Sequence, residues 1–111
     1  MSSTVGLYVA EGSHQTGELA IEGRIRIDGS FAGKIYSEER LDLGQNSLFE
    51  GDADVAEAEI AGTFIGNIRA REKLWVLPSG NIQGFIDAGI TEIAPGGQIT
   101  GEVRISGKIR S

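Results

Sequence analysis

The phrase Gly-x-Phe-x-Gly-x-Ile is written twice in this chain, at 29–35 and 62–68, and three looser copies keep its frame. Aligned on the second glycine, the copies are Gly29-Ser-Phe31-Ala-Gly33-Lys-Ile35, Ser47-Leu-Phe49-Glu-Gly51-Asp-Ala53 and Gly62-Thr-Phe64-Ile-Gly66-Asn-Ile68. They continue as Gly80-Asn-Ile82-Gln-Gly84-Phe-Ile86 and Gly97-Gln-Ile99-Thr-Gly101-Glu-Val103, with starts 18, 15, 18 and 17 residues apart. Self-similarity at so short a period restricts the chain to stacked units, because one copy alone cannot bury its apolar face.

The third and seventh positions carry the apolar residues. Phe31, Phe49, Phe64, Ile82 and Ile99 form one column, and Ile35, Ala53, Ile68, Ile86 and Val103 the other. Within a strand such residues share one face, so Phe31, Phe49, Phe64, Ile82, Ile99, Ile35, Ile68 and Ile86 are expected as a core ladder. The fourth position (Ala32, Glu50, Ile65, Gln83, Thr100) is mixed, which marks an outward column. Between copies lie further short β-type runs: Leu41-Asp-Leu43, Val55 with Ala58 and Ile60, Leu74-Trp-Val76, and Ile90 with Ile93. The stretch at 53–62 is rich in Ala and Glu, yet its phase with the repeat favours a strand over a helix.

Glycine accounts for 17 of the 111 residues against 2 prolines, and its regular placement separates the chain from collagen and from flexible linkers. A backbone that bends every few residues needs positions that tolerate positive φ and put no side chain into the corner. The expected fold is therefore all-β, a single-domain β-solenoid of about 17 residues per coil with parallel strands ~4.8 Å apart. Residues 19–111 make the solenoid, and 1–18 an N-terminal arm or partial cap. One outward column supports the register: Tyr36, Asp54, Arg69, Asp87 and Arg104 stand one residue past the seventh position, and the last four alternate in sign.

At this point the residues resemble a family. The stretches "IRIDGSFAGKIYSEERLDLG" at 25–44 and "IAGTFIGNIRAREKLWVLPSGNIQGFI" at 60–86 are similar to the bactofilins, bacterial polymer-forming cytoskeletal proteins. The resemblance spans roughly 19–105 and is most specific at 66–74 and 78–86. It implies a right-handed, roughly triangular β-helix that polymerises end to end without nucleotide. It also implies a scaffold for cell shape that recruits cell-wall or membrane proteins, often at the inner face of the cytoplasmic membrane. Phe85 departs from the pattern, which usually has an acidic or small polar residue there.

Catalytic and binding chemistry finds little support. Cysteine is absent, so there is no thiol nucleophile or thiolate metal site. His14 is the only histidine, and a zinc site of the solenoid enzymes needs three imidazoles. "LGQNSL" at 43–48 resembles one turn of a hexapeptide repeat, which keeps a hexapeptide-like solenoid enzyme or ligand-binding module as the alternative reading. The acidic run Glu50, Asp52, Asp54, Glu57 and Glu59 lacks calcium-loop spacing and reads as a solvated strand face. A net charge of −6 argues against nucleic acid. No apolar run reaches the length of a membrane span and no secretory signal pattern opens the chain, so the expectation is a cytoplasmic protein.

The ligand expected for such a chain is another copy of itself. Soluble solenoids cover their ends with polar or helical caps, and no strong cap is written here. The candidate polymer interfaces are Leu19, Ile21, Ile25 and Ile27 at the N-terminal end and Val103, Ile105 and Ile109 at the C-terminal end. Leu7, Tyr8, Val9 and Phe85 are the candidate partner or membrane contacts. For the stretch at 5–10 three readings compete: a partial cap, a strand along the solenoid side, or a weak peripheral membrane foot. Acidic neighbours rank the foot last. No catalytic, cofactor-binding or metal residue is expected.

Overall fold

The computed structural model describes residues 7–105, 107, 109 and 110. Ten strands follow in order: β1 (Leu7–Val9), β2 (His14–Ile21), β3 (Ile25–Ile27), β4 (Ser30–Ser37), β5 (Arg40–Leu43), β6 (Leu48–Ile60), β7 (Thr63–Val76), β8 (Asn81–Ile93), β9 (Gln98–Ile105) and β10 (Ile109–Arg110). All the pairings are parallel, and they run in two stacks, β2-β4-β6-β7-β8-β9 and β1-β3-β5-β6-β7-β8-β10. The long strands β6, β7 and β8 bend and belong to both. The fold is a β-solenoid of about 6 turns, and the Ala- and Glu-rich stretch at 53–60 is strand.

The register pairs Phe31 with Phe49, Phe64, Ile82 and Ile99 in turn, as the aligned copies require. It also explains the uneven repeat. From β4 onward each coil gives eight residues to the first stack and four to the second. The corner between them takes one residue (Ala56, Gly89) or two, and the turn that closes the coil takes two or four. The 15-residue spacing is the coil with both short connections. All length variation thus falls outside the paired residues, and the core columns stay aligned.

The repeated second glycine is the sharpest corner. Gly17, Gly33, Gly51, Gly66, Gly84 and Gly101 stack on one another with φ between 125° and 134°. That region is closed to other residues without strain. From Gly33 onward an added Cβ would also run into the carbonyl oxygen of the glycine one coil before it. The phrase recurs because a coil cannot approach the one before it to β-sheet distance at this corner if its own ladder position carries a side chain.

Inside, Phe31, Phe49 and Phe64 stack with ring centroids 5.3 and 4.8 Å apart and interplanar angles of 19° and 7°. Ile82 continues the column fully buried, and Ile99 ends it partly buried. Ile35, Ile68 and Ile86 are buried, as are the columns Val9-Ile27-Leu43-Ile60-Val76 and Ile25-Leu41-Ala58-Leu74. The latter column continues to Thr91, whose buried hydroxyl has no hydrogen-bond partner among the described residues. Ile90, one residue earlier, stacks on Lys73 and is exposed.

The ladder also starts earlier than the aligned copies. Residues 14–21 pair with 30–37 residue for residue, so Ser13-His-Gln15-Thr-Gly17-Glu-Leu19 is a further coil. Its third position is Gln15, a polar residue in a column otherwise apolar, and that hides it from sequence alignment. Parallel pairing therefore runs through the 18/19 boundary expected between arm and solenoid.

Candidate assembly interface

The terminal strands of the two stacks mark the ends of the solenoid. At the N-terminal end, among the described residues, β1 pairs only with β3, and β2 only with β4. Of the four residues expected there, Leu19 and Ile21 lie on β2, at the open edge, with Leu19 exposed and Ile21 half-buried. Ile25 and Ile27 do not: β1 pairs over them, and both are fully buried. The strand that covers them belongs to the stretch at 5–10, for which the expectations are a partial cap, a strand along the solenoid side or a membrane foot. Within it Val9 is a core residue in register with Ile27, while Tyr8 is 64% exposed. A hydrogen bond to the Asp28 carboxylate raises the Tyr8 pKa above the usual tyrosine range. The Leu7 side chain lies outside the described residues.

At the C-terminal end β9 pairs only with β8. Ile99, Val103 and Ile105 stand along it; Val103 is exposed and the two isoleucines are half-buried, although their columns are fully buried deeper in the rod. Ile109 pairs through its backbone with Thr91 in β10, and its side chain lies outside the described residues. Unpaired parallel edges fronted by apolar side chains are templates for further strands.

The sides are knitted by charges that sequence reasoning did not assemble. Arg40 is held by Asp42 at 2.8 Å and Glu59 at 2.6 Å, and its guanidinium lies 4.9 Å from the Trp75 ring centre. Hydrogen bonds to Asp42 and Glu59 raise its pKa further, burial opposing them. Lys73 packs over the other reach of Trp75 at 4.5 Å and pairs with Glu92. The signal was available in the registers Asp42-Glu59-Trp75-Glu92 and Arg40-Glu57-Lys73, which place these residues on neighbouring outward columns.

On the first stack an open groove of about 600 Å³ runs along the rod. The column Lys34-Asp52-Asn67-Phe85 borders one side and Tyr36-Asp54-Arg69-Asp87 the other. Phe85 is half-buried there, and no histidine, cysteine or serine lines the groove. The alternating column is in the expected register, but Asp54 turns to Arg71, at 3.4 Å, instead of to Arg69. Arg71 sits in the two-residue corner after Ala70, where it also donates to the Ser37 carbonyl at 2.7 Å and lies over the Tyr36 ring. His14 is exposed on β2, and among the described residues no group of His, Cys, Asp or Glu is placed to hold a metal ion. No helix among them is long and apolar enough to cross a membrane.

These features define a parallel β-solenoid with open strand edges among its described residues. The sequence model of the bactofilin family, described as polymer-forming cytoskeletal, matches residues 7–104. A curated relative, bactofilin BacO of Myxococcus xanthus, is 32% identical over 94 residues, covering 85% of this chain and 75% of the relative. The chain belongs to the bactofilin family, a family of polymer-forming cytoskeletal proteins. No solved structure matches it.

Proposed function

We propose that this protein is a scaffold that polymerises end to end without nucleotide and organises cell shape or cell-wall partners from the cytoplasmic side of the membrane. The observation that carries the reading is the pair of open edges, β2 with Leu19 and Ile21 and β9 with Ile99, Val103 and Ile105. A second copy on either edge continues the ladder and removes those side chains from water, at about 25 cal/mol per Å² of apolar surface. Independence of nucleotide is supported by the glycines. Phosphate-cradling loops leave their N–H groups open to a ligand, whereas here the ladder glycines are packed against the next coil's backbone. Family membership supports the cellular role and the location.

Ile105→Asp tests the reading. An unpaired carboxylate in an end contact is expensive to bury, while Ile105 is only half-buried in the single copy. Circular dichroism is expected to stay native while nucleotide-free sedimentation and electron microscopy show filaments reduced to small oligomers. Undiminished polymer in the variant overturns the interface, and a nucleotide requirement in the parent overturns the cytoskeletal mechanism.

A further inference from the structure

The outward column Asp54-Arg69-Asp87-Arg104 is in strict register over successive coils, so its charges alternate at ~4.8 Å intervals along the rod axis. Arg69 and Arg104 are exposed and Asp87 is half-buried. Among the described residues none of these three makes an ion pair; only Asp54 is engaged, by Arg71. A row of this kind has a property that a uniformly charged row lacks. Reversed end for end and laid against itself, it sets Asp54 against Arg104 of the second copy and Arg69 against Asp87. By symmetry Asp87 then meets Arg69, and Arg104 meets Asp54. Every contact joins opposite charges.

We infer that this face is a lateral contact between two antiparallel copies, related by a two-fold axis that passes between the Arg69 and Asp87 coils. The inference rests on the self-association reading above and adds to it a second surface, on the side of the rod and distinct from the ends. Isologous contacts of this type close on themselves, so the face pairs filaments two by two and does not lengthen them. The groove between the two outward columns lets the surfaces approach, and Phe85 comes opposite Asn67 of the second copy. The neighbouring column brings Asp52 opposite Glu102, a like-charge contact made twice by the two-fold, at the outer coils of the face. The contact is therefore centred on Arg69 and Asp87, and its strength falls with ionic strength because exposed charges are screened. Charge complementarity of this sort sets orientation and partner more than raw affinity.

A charge swap separates this arrangement from a ladder that merely stabilises one copy. Within a single copy, R69D, D87R and the double variant R69D/D87R each leave one favourable neighbour contact along the column, so the double variant would be no better than either single one. Between antiparallel copies, each single variant turns the two central pairs into repulsions, and the double variant restores both. The full chain is polymerised without nucleotide at low salt, and filament width is read by electron microscopy. The same four proteins are then compared in the Ile105→Asp background by analytical ultracentrifugation, where end contacts are blocked and lateral dimers are counted directly. Expected are paired filaments and dimers for the parent, their loss in R69D and in D87R, their return in R69D/D87R, and their loss in the parent at high salt. Unpaired parent protein at low salt in both assays, single variants that pair like the parent, or a double variant as unpaired as the singles overturns the inference. Failure to form filaments with dimers still present and swap-dependent would instead refute the end-to-end reading alone.

Discussion

Phe64 is the residue on which the stacking argument can be weighed. It is fully buried, lies almost parallel on Phe49 at 4.8 Å, and has Ile82 in register on its other side. Truncation of such a residue to alanine costs roughly 3–5 kcal/mol, lost transfer energy and residual cavity together. About 0.5–1.5 kcal/mol of that belongs to the stacked ring pair. The upper half of the range is expected, because the hole cannot collapse: the coils on both sides are held at sheet spacing by the ladder and by the Gly51-Gly66-Gly84 corner. Against a total stability of about 5–15 kcal/mol for a domain, this is a large fraction. Assembly stabilises the folded state by mass action, so the comparison belongs in the Ile105→Asp background, by urea denaturation followed with circular dichroism. Phe85→Ala, on the outward side, serves as the control and should stay within about 1 kcal/mol. A Phe64→Ala midpoint corresponding to less than about 1 kcal/mol of loss, at unchanged m, refutes the stacked core.

Gly66→Ala should leave little soluble folded protein, since the new methyl meets the Gly51 carbonyl at a φ of 130°; Gly17→Ala, at a φ of 133° with open space around it, should cost on the order of 1–3 kcal/mol. Thermal melts of the two decide whether contact between coils or φ alone keeps the ladder glycine. Thr91→Val should stabilise by about 1 kcal/mol by removing a buried hydroxyl without a partner. Ser37→Ala should destabilise by about 1–2 kcal/mol, because that hydroxyl donates to the Gly23 carbonyl at 2.8 Å and accepts from the Glu39 N–H at 3.0 Å; a lowered denaturant midpoint for Thr91→Val, or an unchanged or raised one for Ser37→Ala, would contradict the respective prediction. Deleting residues 1–10 strips β1 from Ile25 and Ile27 and should alter filament length or bundling more than liposome co-sedimentation. Strong liposome binding lost on deletion, with polymerisation intact, would make the segment an anchor.

The fold could be read from the sequence because its determinants are local and repeated. The ladder glycine is compulsory at every coil, and the apolar third and seventh positions stack directly on themselves. What escaped had lost that local signal. The coil at 13–19 carries Gln15 where the others carry Phe or Ile, so the apolar column that marks the other copies does not point to it. Ile25 and Ile27 look terminal only until β1, a strand of three residues, is seen to pair over them. Arg71 and Trp75 were missed for a different reason. Arg71 lies in the corner where the register shifts, between Ala70 and Lys73, and Trp75 lies beyond it, so counting from the glycine no longer tells which column they occupy.

The aromatic part of the core occupies the second to fourth coils. Beyond Phe64 the column thins to Ile82 and the partly buried Ile99, and Thr91 interrupts the column beside it. In a rod where each coil touches only its neighbours, such a gradient means that the C-terminal coil frays before the aromatic coils do. That coil carries one of the two edges assigned to growth. Its Ile99, Val103 and Ile105 lack the covering neighbour that buries their columns elsewhere, and an incoming copy supplies one. Elongation at this edge is then the completion of folding by the next molecule, and a filament tip is softer than its interior. Amide exchange at 98–105 should slow on polymerisation while exchange in the Phe49 and Phe64 coils, already closed, barely changes.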